Sequence, residues 1–146
     1  MNNAIEYSSK GISAEDLISL HKDAKWAIPD PDSAKISLSN TVFSIAALQD
    51  GQLIGYGRIL GDHSLFYCIS DVIILKQFQK QRIGTEIMNR LMEFIKKDAK
   101  AGAFIGLFSA RNLEPFYEKY GFENRPSPSR GAGMSYTVQR KITEAK

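Results

Sequence analysis

The chain has 146 residues, 43% of them apolar and 24% charged, which is the composition of a soluble globular protein of one ordinary domain that needs neither disulfides nor metal to build a core. No stretch approaches the roughly 18 consecutive apolar residues of a membrane helix, so no membrane partner is expected. The net charge of +3 is spread among 16 acids without a recognition motif, which argues against a nucleic-acid partner and suits a ligand carrying several phosphates equally well.

The first ten residues, MNNAIEYSSK, lack the basic and then apolar layout of a secretory signal, and the single cysteine, Cys68, has no partner for an internal disulfide; both point to the cytoplasm. Ile5 to Ser8 alternates and reads as a first strand, and Ser13, followed by Glu15 and Asp16, opens a helix to about Lys25. Pro29 and Pro31 break the pattern, and Ser33 to Ser39 is expected to hold a second short helix that ends before Val42. Val42 to Gln49 and Gln52 to Leu60 are apolar and β-prone, and Asp50-Gly51 between them supplies the positive φ angles of a tight hairpin turn. Gly61-Asp62-His63-Ser64 makes a second turn. Leu65 to Leu75 is a long strand whose end, Val72 to Leu75, is continuously apolar and so expected to be buried on both faces.

The period changes after Gln79. Ile83, Ile87, Leu91 and Phe94-Ile95 recur at helical spacing to about Lys97, and Gly102 closes the segment. Phe104 to Ser109 is a further strand, Leu113 to Lys119 a short helix stopped by Gly121, and Met134 to Val138 the expected last strand. The order is β-α-α-β-β-β-α-β-α-β, an α/β (α+β) chain without repeats.

Among these elements the junction of a buried strand with QKQRIGT and a strong helix carries chemistry. The first N–H groups of a helix lack partners and sit at the positive end of its dipole, which favours phosphate. Gly84 allows close approach to the main chain, and Lys80 and Arg82 can reach phosphate oxygens from the side. On these residues alone, an ordinary strand-to-helix loop with one glycine remains an equal alternative.

Gln79-Lys80-Gln81-Arg82-Ile83-Gly84 resembles the Gln/Arg-x-x-Gly-x-Gly/Ala signature that follows the fourth strand in the GNAT superfamily of N-acetyltransferases. Arg82 stands where that signature has a glycine, and Lys76 where a proline is common upstream. Glu114-Pro115-Phe116-Tyr117-Glu118-Lys119-Tyr120-Gly121-Phe122 resembles the family's Phe-Tyr-x-x-x-Gly-Phe segment after the fifth strand. The resemblance implies the GNAT fold, a mixed sheet of about six to seven strands flanked by about four helices, over a single domain of the whole chain.

The resemblance further implies acetyl-CoA as co-substrate, with no metal, and an amine acceptor on a small molecule or peptide; homodimers are common in the family. Val72, Ile73 and Ile74 would offer main-chain groups to the pantetheine arm, and Lys80, Gln81, Arg82, Ile83, Gly84 and Thr85, after Gln79, would hold the diphosphate. Arg82 then either points away or contacts phosphate itself. Asn112 resembles a CoA-contacting asparagine, at a shorter spacing from Tyr117 than is usual. Tyr117 matches the tyrosine that protonates the departing thiolate, although an aromatic beside Phe116 also serves a core.

The group that accepts the amine proton is not marked. The positions that carry a base in many relatives hold Cys68 and Ser70, and Asp71 is the nearest carboxylate. A charge in an apolar strand needs a partner, so Asp71 is either a base or an aspartate bonded at a bulge. Asp62 and His63 border the same region on a turn. Trp26, Tyr56, Arg58, Phe66 and Tyr67 either line the acceptor pocket or belong to the core, and His21 has no ligand partner near it in sequence. Two histidines and one cysteine give no metal-ligand spacing. The alternative in a different class is a non-catalytic acyl-CoA-binding module, which would have no use for Tyr117.

Overall fold

Residues 4–139 are described by a computed structural model. The chain divides into two compact units, Met1–Phe108 and Ser109–Lys146. The first unit runs β1 (Ile5–Ser8), α1 (Ala14–Ala24), α2 (Pro31–Ser39), β2 (Phe43–Gln49), β3 (Gln52–Gly61), β4 (Phe66–Ile74), a 3-10 turn over Lys76–Phe78, α3 (Ile83–Asp98) and β5 (Phe104–Leu107). The second contains α4 (Glu114–Glu118).

The helix starts follow from their caps. Ser13 accepts from the Asp16 N–H while the Asp16 carboxylate accepts from the Ser13 N–H, which satisfies two orphan donors of α1 at once. At α2 the expectation from proline needs correcting: Pro31 does not delay the helix but begins it, capped by Asp30, because a first-turn proline gives up an N–H that would have had no partner. Asp50 (φ 51°) and Gly51 (φ 79°) both take left-handed backbone, as the hairpin between β2 and β3 requires.

The sheet is ordered β1-β2-β3-β4-β5, antiparallel throughout except for the parallel β4–β5 pair. Side chains of β3 alternate between two layers. Tyr56 packs with Leu17 and Leu20 of α1, Ala34 of α2, Ala46 and Ile73. Gly55 and Gly57 face α3: a Cβ on Gly57 would lie 2.9 Å from Cγ2 of Ile87 and 3.1 Å from Cδ1 of Leu91. These two glycines let α3 press its Ile83, Ile87 and Leu91 face onto the strand, which fixes where the helix begins.

Among the described residues the sheet has five strands, not the six to seven expected. Met134 to Val138 alternates as a strand should, but it carries no regular structure and its apolar side chains lie in the open. Alternation makes a strand only where an edge receives it. Among the described residues no helix is long and apolar enough to cross a membrane.

Candidate active site

The path from β4 into α3 is held from both sides. The Lys76 N–H donates to the Asp23 carboxylate of α1 at 2.8 Å, and Gln79 Nε2 donates to the Ile74 carbonyl at 3.1 Å. Gln79 thus clasps the end of β4 main chain to the turn. Lys80 (φ 66°) and Arg82 (φ 65°) then take left-handed backbone, the conformation from which anion-binding main-chain concavities are built. Arg82 is the residue immediately before α3, and no side chain caps that helix. It occupies in left-handed form the position where a glycine would do so freely, at a cost of roughly 1–2 kcal/mol. Lys80 and Arg82 are exposed, and neither is ion-paired among the described residues. Two cations and a 16-residue helix dipole therefore converge on one turn.

Beside it, β4 is irregular. Tyr56 pairs with Ile73 and Arg58 with Ser70, so the single residue Gly57 faces both Asp71 and Val72, a bulge with Asp71 at φ 54°. The parallel pairing with β5 covers only Phe66 to Ile69. Among the described residues, β4 beyond Ile69 pairs with β3 alone.

Asp71 is not a lone charge. Its Oδ2 accepts from Arg58 Nε at 2.7 Å and its Oδ1 lies 2.9 Å from Nε2 of His21 on α1. Arg58, buried on β3, spends its remaining donors on the Ser37 carbonyl, the Ser37 hydroxyl and Thr41 Oγ1 at 2.8–3.1 Å. His21 Nδ1 donates to the Ala27 carbonyl at 2.9 Å, because a carbonyl can only accept. The two ring nitrogens of His21 thus face a main-chain carbonyl on one side and the Asp71 carboxylate on the other. The cluster ties α1, the residues after it, α2, β3 and β4 to one carboxylate. Sequence reading missed His21 because its partner lies 50 residues away; the readable signal was one charge in each of two apolar strands, Arg58 and Asp71, of opposite sign.

The remaining candidates separate by environment. Tyr56 and Tyr67 are core residues rather than open pocket walls, while Trp26 and Phe66 are exposed and Trp26 meets His21 edge to face at 5.5 Å. Burial pushes the Cys68 thiol up, only partly offset by Arg58. Asp62 caps the β3–β4 turn, accepting from the N–H groups of Ser64, Leu65 and Phe66 at 2.8–3.0 Å, which holds its carboxyl below the usual range. His63 bonds Asp98 at 3.0 Å. Among the described residues no group of three or more His, Cys, Asp or Glu could hold a metal ion.

In the second unit Tyr117 lies on α4 and is buried, edge to face with Phe116 (5.0 Å) and Phe122 (6.5 Å). Burial raises its pKa above that of an ordinary tyrosine, so it keeps its proton at neutral pH. Asn112 stands in the turn before α4 with φ 72°.

The acetyltransferase (GNAT) domain model matches residues 4–142. The chain belongs to the GNAT acetyltransferase family. It is 27% identical over 128 residues to an uncharacterized N-acetyltransferase of Pyropia yezoensis, covering 85% of this chain and 72% of that protein. A Staphylococcus aureus protein of unknown function, described as a probable acetyltransferase, has a crystal structure similar at TM-score 0.83 and 26% identity, covering 91% of this chain and all (100%) of that one. A GNAT family acetyltransferase of Streptococcus pneumoniae shares the fold at TM-score 0.74 and 22% identity, covering 94% and 100%. GNAT membership makes the chain an acyltransferase of the N-acetyltransferase kind, in a family that uses acetyl-CoA and amine acceptors.

Proposed function

We propose that the chain transfers the acetyl group of acetyl-CoA to a primary amine, on a small molecule or a peptide, by direct attack in a ternary complex, and that it does so as one N-acetyltransferase domain. The observation that carries this reading is the entry to α3, where left-handed Lys80 and Arg82, without an ion pair among the described residues, lead into a helix with no side-chain cap. The diphosphate sits on the main chain of Lys80 to Thr85, with Arg82 contacting phosphate rather than pointing away, since among the described residues it has no acid partner. The pantetheine arm lies along Val72, Ile73 and Ile74, where β4 is without β5, and Asn112 contacts CoA.

The amine reacts in its neutral form. Its lone pair attacks the thioester carbon, the oxyanion collapses with cleavage of the C–S bond, and the thiolate takes the Tyr117 hydroxyl proton. The amine proton leaves to water, from which Tyr117 is reprotonated. Asp71 acts as a positioning residue: both its oxygens already face His21 and Arg58, and through them it holds α1 and β4 in place.

The test is the release of free CoA thiol on mixing the protein, acetyl-CoA and a panel of primary amines, with mass spectrometry of the amines. Thiol release matched by an acetylated amine is expected. Binding of CoA with no thiol released across the panel would point instead to the non-catalytic acyl-CoA-binding module.

A further inference from the structure

Along β4, Tyr67 turns its hydroxyl to Asp98 of α3, so Phe66 and Cys68 on either side of it point to the other face of the sheet. That is the face on which Arg58 of β3 reaches Ser37 and Thr41. α1 and α2 cover it at Tyr56 and Ile73. Farther along, Phe66 and Phe104 stack at 5.7 Å between ring centres yet stay 52% and 41% exposed, an open aromatic floor bordered by the cross-strand pair Leu60 and Cys68. Gly106 makes room for it: a Cβ there would lie 2.9 Å from Cε1 of Phe104. The floor carries no charge. From Gln52 to Ile74 the only acids are Asp62 and Asp71, and β5 has none. Both carboxylates are already held, Asp62 by three main-chain N–H groups and Asp71 by Arg58 and His21.

We propose that this floor receives the body of the acceptor, and that the substrate is a primary amine carrying an uncharged aryl group at the end of an alkyl spacer, not a polyamine or an aminoglycoside. The inference rests on the acetyl-transfer reading above. With the diphosphate at the start of α3 and the pantetheine arm beside Ile74 to Val72, the cofactor runs along β4 toward Ser70. The residues ahead of it on the open face are Cys68 and Phe66, two and four positions from Ser70, about 7 and 13 Å at the rise of a strand. An amine attacking near Ser70 therefore lays its spacer over Cys68 and its ring against Phe66 and Phe104. Removing that ring from water is the favourable step, and the ring faces of the floor meet it at stacking or edge-to-face distance. A second ammonium on the acceptor would instead leave water without a free carboxylate to receive it.

The experiment compares hexylamine, phenylhexylamine and diaminohexane as acceptors for the wild type, Phe66→Ala and Phe66→Tyr. The same amines are titrated calorimetrically in the presence of CoA, which has no acetyl group to transfer, so that binding is read apart from turnover. Phenylhexylamine is expected to exceed hexylamine by about 10–100-fold in kcat/KM and in affinity, the range for burying one aromatic ring, with diaminohexane below hexylamine. Phe66→Ala should bring that ratio toward one, and Phe66→Tyr, which keeps the ring, should preserve it; far-UV circular dichroism checks that both variants fold. Acetylation of none of the amines contradicts the acetyl-transfer reading, and the calorimetric preference then decides this proposal alone. Equal affinity for hexylamine and phenylhexylamine, a preference for the diamine, or a ratio that Phe66→Ala leaves unchanged overturns it, and means that something other than the acceptor covers the floor.

Discussion

Arg58 of β3 and Asp71 of β4 meet at 2.7 Å beside a bulge that leaves Asp71 in left-handed backbone. The bulge turns the carboxylate so that its second oxygen reaches His21, and one charge therefore anchors both a strand and a helix. Removing one partner of such a buried pair leaves the other uncompensated. Asp71→Asn is expected to destabilise the fold by about 3–5 kcal/mol, seen as a lower urea midpoint. Its pH–rate profile should keep the wild-type shape; a loss of rate concentrated at low pH would instead make Asp71 the proton acceptor.

Arg82→Gly separates the two contributions of that residue. Glycine takes the left-handed conformation without the Cβ penalty, so thermal stability should stay within about 1 kcal/mol of wild type. The proposed phosphate contact disappears, and the Kd for acetyl-CoA should rise about 10–150-fold, the size of one charge-assisted hydrogen bond, with a smaller effect at high salt. Titration calorimetry at two salt concentrations measures both. An unchanged Kd would mean that the side chain points away from the cofactor.

Tyr117→Phe keeps the ring and its contacts with Phe116 and Phe122 and deletes only the proton. Turnover is expected to fall by about 100-fold or more, with the Kd for acetyl-CoA nearly unchanged. Because burial raises the Tyr117 pKa above the ordinary value, the wild-type rate should not decline through loss of this proton until the pH exceeds that of a normal tyrosine. Steady-state kinetics from pH 6 to 10 checks it, and equal kcat for the two proteins removes Tyr117 from its role.

Much of this architecture can be read locally. Asp50-Gly51 requires left-handed backbone and specifies a hairpin, Ser13 with Asp16 specifies a helix start, and the Ile83, Ile87, Leu91 stripe specifies the helix that follows the Gln79 to Arg82 turn. What could not be read depends on partners distant in sequence. His21 becomes meaningful only when β4 brings Asp71 to it, and the bulge that does so is a mismatch between two strands, invisible in either alone. Met134 to Val138 has the alternation of a strand, yet pairing depends on an edge the segment does not itself contain.

Tyr67 provides a pH signature for the fold. Burial first, and then its 2.6 Å bond to Asp98, push its pKa from 10.0 up to about 12. The folded state therefore holds a proton that the unfolded state releases between these values. The stability tied to it is complete below pH 10 and is lost as pH rises toward about 12. Wild-type melting temperature should fall across this window more steeply than that of Tyr67→Phe; parallel curves would contradict the assignment.

The most direct measurement is a mass balance under single turnover, with enzyme in excess over isotope-labelled acetyl-CoA, in the presence and absence of an amine that serves as acceptor. Direct attack predicts one acetylated amine for each CoA thiol released and no label on the protein when the amine is left out. Label accumulating on the protein before amine is added would contradict direct transfer, and thiol released without acetylated amine would contradict amine acetylation itself.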